Sequence, residues 1–227
     1  MMSTDVSDPP DPSRISASRL ADDRQRLNAL RRYDILDTDP EPAFDRIARL
    51  AAHVFDAPLA FVSFLDADRQ WFKSCVGFAQ RETPLEMSFC VHSLPLSEPL
   101  IIPDATEDTR VADNPFVIND PGIRFYAGAP LTTPDGHQIG TLCVLDTTPR
   151  TVSSDRCERL EDLAALVMDE LELRREVAQR KQAEAMLRAI NENISESIYR
   201  STPDGTVLYA NQAMAACFGY ESPDALR

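Results

Sequence analysis

The stretch that decides the fold runs from Arg124 to Asp146. It reads RFYAGAPL over Arg124–Leu131, then a polar turn, then HQIGTLCVLD over His137–Asp146. Two apolar runs flank Thr133-Pro134-Asp135-Gly136. Pro134 presets φ, Asp135 can bond its own backbone, and Gly136 accepts a positive φ. The pattern predicts an antiparallel hairpin. On its second strand Ile139, Thr141, Cys143 and Leu145 share one face, and Gly140, Leu142 and Val144 share the other. Both faces are mostly apolar, which predicts a central strand covered on both sides.

Upstream of the hairpin the signals alternate. Leu20, Leu27 and Leu30 mark a short helix, and Thr38 and Glu41 have capping-box spacing beside Pro40 and Pro42. Phe44, Ile47, Ala48, Ala51, Val54 and Phe55 then fall on one helical face, ended by Ala57-Pro58. Leu59–Leu65 reads as a strand, Asp66–Asp68 as a turn, and Arg69–Cys75 as a returning strand. The middle is irregular. Ser88–Ser93 fits one or two helical turns, Leu100–Ile102 a short strand, and Asp104–Asp120 an acidic connection containing Asn114-Pro115.

Downstream, Ser153 or Ser154 caps a long helix, because neither Pro nor Gly occurs from Ser153 to Thr202. Leu166, Leu173, Leu187 and Ile194 recur at one heptad position, with Arg180 interrupting, and Val177 and Ile190 partly fill the neighbouring seam. Leu160–Val167 is expected to pack on its own domain. Beyond Leu173 the rod needs a partner, which predicts a homodimer through a parallel, imperfect coiled coil.

The composition excludes several classes. The chain has 227 residues, enough for one or two domains, and a net charge of −14, which disfavours nucleic acid and anionic membranes. Five cysteines at irregular spacing give neither a disulfide framework nor a zinc signature, so a reduced, cytoplasmic protein is expected. No apolar run approaches the roughly 20 residues that cross a bilayer. Residues 1–18, rich in Ser, Asp and Pro, read as a disordered leader.

Seven motifs, in order, carry a family resemblance: Ile35-Leu-Asp-Thr38, Arg69-Gln-Trp-Phe-Lys-Ser74, Phe89-Cys-Val-His92, Asp113-Asn-Pro115, Arg124–Leu131, Gly140–Asp146 and Pro149-Arg150. From Arg26 to Leu173 the chain resembles a GAF domain of the kind found in bacterial sensor histidine kinases and diguanylate cyclases. The resemblance implies an α+β fold: a central antiparallel sheet, terminal helices on one face and a ligand pocket on the other. The tail resembles the opening of a PAS domain, through Asn193–Arg200, Asp204-Gly205, Val207–Asn211 and Phe218-Gly-Tyr220. A PAS domain continues with further helix and three strands. The tail is therefore expected to be poorly ordered or to borrow cover from a partner. The expected layout is a leader over 1–18, a GAF domain over 19–168, a helical linker over 169–193 and an incomplete PAS segment over 194–227.

The pocket candidates are Trp71, Lys73, Phe89, Cys90, His92, Arg124, Tyr126 and Cys143. Alternation puts Trp71 and Phe72 on opposite faces, so one of them can line the pocket while the other enters the core; the competing reading of Trp71, Phe72, Phe125 and Tyr126 is that all are core. Cys90 and His92 would project about 200° apart on a helical turn and so would not face each other. Packing of Phe89 and Cys90 in the core competes with any reactive role. Lys73 and Arg124 are the candidate cations, and pairing with Asp104, Asp108 or Asp113 is their competing role. A metal site from His92, Asp104 and Asp108 is chemically possible but not favoured by spacing. Bilin-binding relatives place His directly after the Cys, and here Val91 intervenes, so a covalent bilin is not expected. The cyclic-nucleotide pattern of the family is missing as well, so no cofactor is assigned.

The resulting expectation is a non-catalytic sensory module. A GAF domain would bind a small ligand or partner and transmit its state through a dimeric helix toward a PAS region. Any histidine kinase or diguanylate cyclase activity would then lie outside this chain. An interaction module with an empty pocket, and a thiol-based redox sensor or enzyme, stand as alternatives.

Overall fold

The computed structural model describes residues 23–226, so the expected leader and Leu20 lie outside the described residues. The chain divides into two units, one ending at Leu173 and one beginning at Arg174.

In the first unit, helix α1 (residues 23–31) and α2 (Pro42–Phe55) precede strands β1 (Leu59–Leu65), β2 (Arg69–Val76) and β3 (Glu82–Pro84). Two 3-10 turns, Leu85–Met87 and Phe89–Ser93, lead to β4 (Leu100–Ile102) and the one-turn helix α3 (Pro115–Ile118). The hairpin follows as β5 (Phe125–Thr132) and β6 (Gln138–Asp146), and then the long helix α4 (Ser154–Asn193). The six strands form one antiparallel sheet in the order β3-β2-β1-β6-β5-β4. The hairpin strand β6 is central, as its two apolar faces require. Gly136 has φ 86° in the turn, and the Gly136 amide donates to the Thr133 carbonyl.

The sheet separates two apolar layers. On one face Phe44, Ala48, Ala51 and Phe55 of α2 and Leu160, Ala164, Val167 and Leu171 of α4 cover Val62, Phe64, Trp71, Leu142 and Val144. The α4 residues recur every three to four positions, which is the spacing of a single buried stripe. Its N-terminus is capped by Ser153, whose hydroxyl accepts from the Arg156 amide at 3.4 Å. On the other face the irregular middle covers Phe61, Phe72, Tyr126, Cys143 and Leu145.

Two bulges adjust the side-chain alternation. Leu131 pairs with Gly140 and Thr132 with Gln138, so Ile139 is an extra residue in β6. It joins the helix-side cluster rather than the face of Thr141 and Cys143 where strict alternation placed it. Likewise Val62 pairs with Ser74 and Ser63 with Phe72, leaving Lys73 as the extra residue of β2. Lys73 and Ser74 both reach toward α2, where the Ser74 hydroxyl donates to Asp45 at 2.7 Å.

Thr38 and Glu41 do not form the expected capping box. Pro42 opens α2, and Glu41 precedes it without a side-chain cap. Both residues instead hold the Lys73 ammonium, at 2.7 Å each, together with the Asp39 carbonyl at 2.7 Å. Arg150 closes the other end of α2 by donating to the Phe55 and Asp56 carbonyls at 2.7 and 2.8 Å. Arg150 is itself paired with Asp146 at the end of β6.

In the second unit α4 runs to Asn193, and a short hairpin follows, β7 (Tyr199–Ser201) and β8 (Val207–Ala210), turning at Gly205 with φ 93°. Helix α5 (Gln212–Cys217) comes next. The buried Asn211 side chain ties these pieces together. It accepts from the Ile198 and Met214 amides and donates to the Asn191 and Glu196 carbonyls, all within 2.8–3.0 Å. Leu208, Phe218 and Tyr220 remain exposed, so this unit shows a hairpin with little apolar cover.

Candidate functional site

The sheet face opposite α2 and α4 carries a cavity of about 50 Å³. Its wall is aromatic. Phe61 and Phe72 lie 4.9 Å apart between ring centroids, Phe78 meets both edge-on, and Phe116 extends the cluster at 6.2 Å from Phe78. Phe89 of the second 3-10 turn stacks on Tyr126 at 5.6 Å. Gly128 makes that placement possible, since a Cβ there would collide with the Tyr126 ring. Ligand pockets are commonly 300–1,000 Å³. As it stands, this one admits only a molecule of a few heavy atoms, because its own aromatic rings fill most of the space.

The floor of the cavity is a sulfur cluster. Cys90 and Cys143 are buried free thiols with their sulfurs 3.8 Å apart. The Cys90 sulfur also accepts from Thr141 Oγ1 at 2.9 Å, Gln70 Nε2 at 3.0 Å, Tyr126 Oη at 3.4 Å and Ser63 Oγ at 3.7 Å. Burial pushes the Cys90 thiol up, but hydrogen bonds from Cys143, Thr141, Tyr126 and Ser63 outweigh it and bring it down to about 6. Burial pushes the Cys143 thiol and the Tyr126 phenol well above their usual values, and the neighbouring Cys90 adds to both shifts. The donors around Cys90 thus favour its thiolate over that of Cys143.

Of the eight pocket candidates, Phe89, Cys90, Tyr126 and Cys143 line this cavity. The other four lie elsewhere. Trp71 sits in the helix-side core, stacked on Phe64 at 6.4 Å, so Phe72 is the member of that pair that faces the cavity. Lys73 is carried by its bulge to the α2 side, where Glu41, Thr38 and the Phe44 ring surround it. His92 is half-exposed and off the cavity lining, with burial and the nearby Arg110 charge lowering its pKa. Arg124 spends its guanidinium on the Val117 and Ile123 carbonyls, at 2.9 and 3.0 Å, and so braces the irregular middle. Of the carboxylates expected to pair with these cations, Asp108 binds Arg110 at 2.5 Å, and Asp104 accepts from Thr106 at 2.7 Å, with Thr106 and the nearby Arg124 charge both lowering its pKa. Among the described residues, no group of three or more His, Cys, Asp or Glu is placed to hold a metal ion.

Gln70, Ser63, Thr141, Phe61, Phe78 and Phe116 were not among the sequence candidates. The first three are polar residues inside buried strands, a signal that was available. Phe78 and Phe116 come from irregular segments whose approach to the sheet no local pattern encodes.

A six-stranded antiparallel sheet with helices on one face and a covered cavity on the other defines an α+β domain with a cavity-bearing sheet face. The GAF domain family model matches residues 39–171, and the chain belongs to the GAF family of sensory and signalling modules. A cyclic di-GMP phosphodiesterase of Pseudomonas aeruginosa is 39% identical over 148 residues, covering 65% of this chain and 25% of that protein. The chain therefore spans about a quarter of that relative's length. Two solved structures share the fold. One is a domain assigned to a two-component sensor histidine kinase from Sinorhizobium meliloti (TM-score 0.51, 15% identity, 64% of this chain and 99% of that one). The other is free methionine-R-sulfoxide reductase from Neisseria meningitidis (TM-score 0.50, 15% identity, 68% and 90%). One fold here carries a sensor and an enzyme, so function rests on the site. Among the described residues, no helix is long and apolar enough to cross a membrane.

Proposed function

We propose that this chain is the input module of a larger signalling protein, and that its state passes along α4 in a homodimer toward a PAS-like segment. The observation that carries the reading is the change of face along α4. Leu160, Ala164, Val167 and Leu171 are buried against the sheet, whereas Leu166, Leu173, Val177, Leu187 and Ile190 are exposed, Leu187 at 62%; Ile194, also exposed, lies just past the helix end at Asn193 rather than on the helix as its heptad position predicted. Exposed leucine and isoleucine at heptad spacing fit the seam of a parallel pair. The cavity is the input, and its size favours an uncharged molecule of a few heavy atoms or a partner that alters the aromatic wall. A small change there would bias the packing of α4 between two arrangements. The tail's buried Asn211 and its Asp204-Gly205 hairpin support the PAS-like reading of the second unit. The similarity to a cyclic di-GMP phosphodiesterase favours an output in cyclic-dinucleotide turnover, in a part of the protein beyond this chain.

The seam is tested by sedimentation of the wild type and of Leu173→Asp combined with Leu187→Asp. Each half-exposed leucine contributes about 1 kcal/mol on pairing, and the new carboxylates of both copies add repulsion. The expected result is a wild-type dimer and a variant monomer with unchanged Trp71 fluorescence. A variant that remains dimeric refutes the seam.

A further inference from the structure

We propose that Cys90 and Cys143 form a peroxide-oxidisable dithiol at the floor of the GAF cavity, converted to a disulfide by hydrogen peroxide or a similarly small neutral peroxide. This inference stands independently of the α4 seam. It begins with the two sulfurs, 3.8 Å apart, both buried and both reduced. A neutral thiol is a weak acceptor, yet four side chains donate to the Cys90 sulfur: Thr141, Gln70, Tyr126 and Ser63. So many donors at one buried sulfur favour its thiolate, the nucleophilic form. The adjoining cavity of about 50 Å³ is the right size for a peroxide, and its apolar wall of Phe61, Phe72 and Phe89 discriminates against charged oxidants.

The chemistry balances with peroxide alone as oxidant. The Cys90 thiolate attacks one peroxide oxygen, an S–O bond forms, the O–O bond breaks, and the leaving hydroxide takes up a proton to become water. The sulfur is now a sulfenic acid. The Cys143 sulfur then attacks Cys90, the S–S bond forms and the S–O bond breaks. The departing hydroxide takes the Cys143 proton as a second water. Two thiols lose two electrons in all, and one peroxide is reduced to two waters.

The step has a structural consequence. Cys143 sits on β6, bonded to strands on both sides, whereas Cys90 sits on a 3-10 turn. Closing the sulfurs to bonding distance therefore displaces the Phe89–Ser93 turn rather than the sheet. It also takes the anionic acceptor away from Thr141 and Gln70, and it moves Phe89 relative to Tyr126. The other cysteines lack this surrounding. Burial raises Cys75 to about 11, and burial with Glu161 and Glu158 nearby raises Cys157.

The test uses the full chain, reduced, freed of reductant and exposed to hydrogen peroxide, then alkylated and mapped by non-reducing peptide mass spectrometry. The expected product is a Cys90–Cys143 cross-link two hydrogens lighter than the dithiol, formed about tenfold faster than oxidation at Cys75, Cys157 or Cys217. Thr141→Val should slow the cross-link about threefold, because a lower thiolate fraction is partly offset by higher intrinsic nucleophilicity. Cys143→Ala should leave a Cys90 sulfenic acid that dimedone captures. The proposal is overturned if Cys90 and Cys143 stay reduced while the other cysteines oxidise, or if Cys90 pairs with a different cysteine.

Discussion

Replacing Lys73 with Met keeps most of the side-chain stem and removes the ammonium. That ammonium is fully buried and makes three 2.7 Å bonds, to Glu41, Thr38 and the Asp39 carbonyl, and it lies 5.4 Å from the Phe44 ring centroid. A bond to a charged partner is worth about 1.5–3 kcal/mol and each neutral bond about 1 kcal/mol. Relief from desolvating a cation offsets part of this. Glu41 is 34% exposed and can resolvate, so the penalty of an orphaned buried carboxylate does not apply in full. The net destabilisation is then about 2–3 kcal/mol, a fall in Tm of roughly 5–10 °C for a domain of this size. Trp71, the only tryptophan in the chain, is buried in the same layer, so its fluorescence in a urea titration reads the transition. Glu41→Gln keeps an acceptor and should cost about 1 kcal/mol. If Lys73→Met shifts stability by less than about 0.5 kcal/mol, as an ordinary surface change would, the clasp is not holding α2 to β2.

Gly140→Ala would put a Cβ far inside van der Waals contact of the Ser63 carbonyl on β1, at the centre of the sheet. Neither strand can retreat without losing its ladder, so a loss of about 3 kcal/mol or more is expected, visible in the same urea titration; an unchanged midpoint would rule out the close approach. Alkylation of Cys90 should follow a titration with a midpoint near 6, far below that of Cys75, as read by peptide-resolved labelling across pH. The sign for stability follows. Folded Cys90 titrates below the unfolded value of about 8.5, so its contribution is fully present above about 8.5 and is lost as pH falls toward 6. The difference in unfolding free energy between wild type and Cys90→Ser should grow with pH across that window, and a flat difference would contradict the thiolate assignment.

Much of the architecture is local and was legible in the sequence. Pro134, Asp135 and Gly136 encode the turn, the two apolar faces of Gly140–Val144 encode a central strand, and the stripe of Phe44, Ala48, Ala51 and Phe55 encodes the covering helix. Half of the cavity candidates line the cavity: Tyr126 and Cys143 lie on β5 and β6, where alternation assigns a face, whereas Phe89 and Cys90 lie on a 3-10 turn that alternation does not reach. Trp71 was not, because alternation separates Trp71 from Phe72 without saying which face holds the helices. Lys73 could not be placed, because a one-residue bulge is set by pairing across strands rather than by β2 itself. The convergence of Gln70, Thr141, Tyr126 and Ser63 on the Cys90 sulfur joins residues up to 51 positions from it in the chain. The sequence by itself determined the longer elements and their order, since periodicity and turn chemistry act over a few residues, while the short β3 and α3 were not read from it and the heptad pattern ran past the end of α4 at Asn193. Only the tertiary structure decided the faces, the bulges and the thiol cluster. Those depend on which strands meet and on how buried polar groups find partners across the sheet.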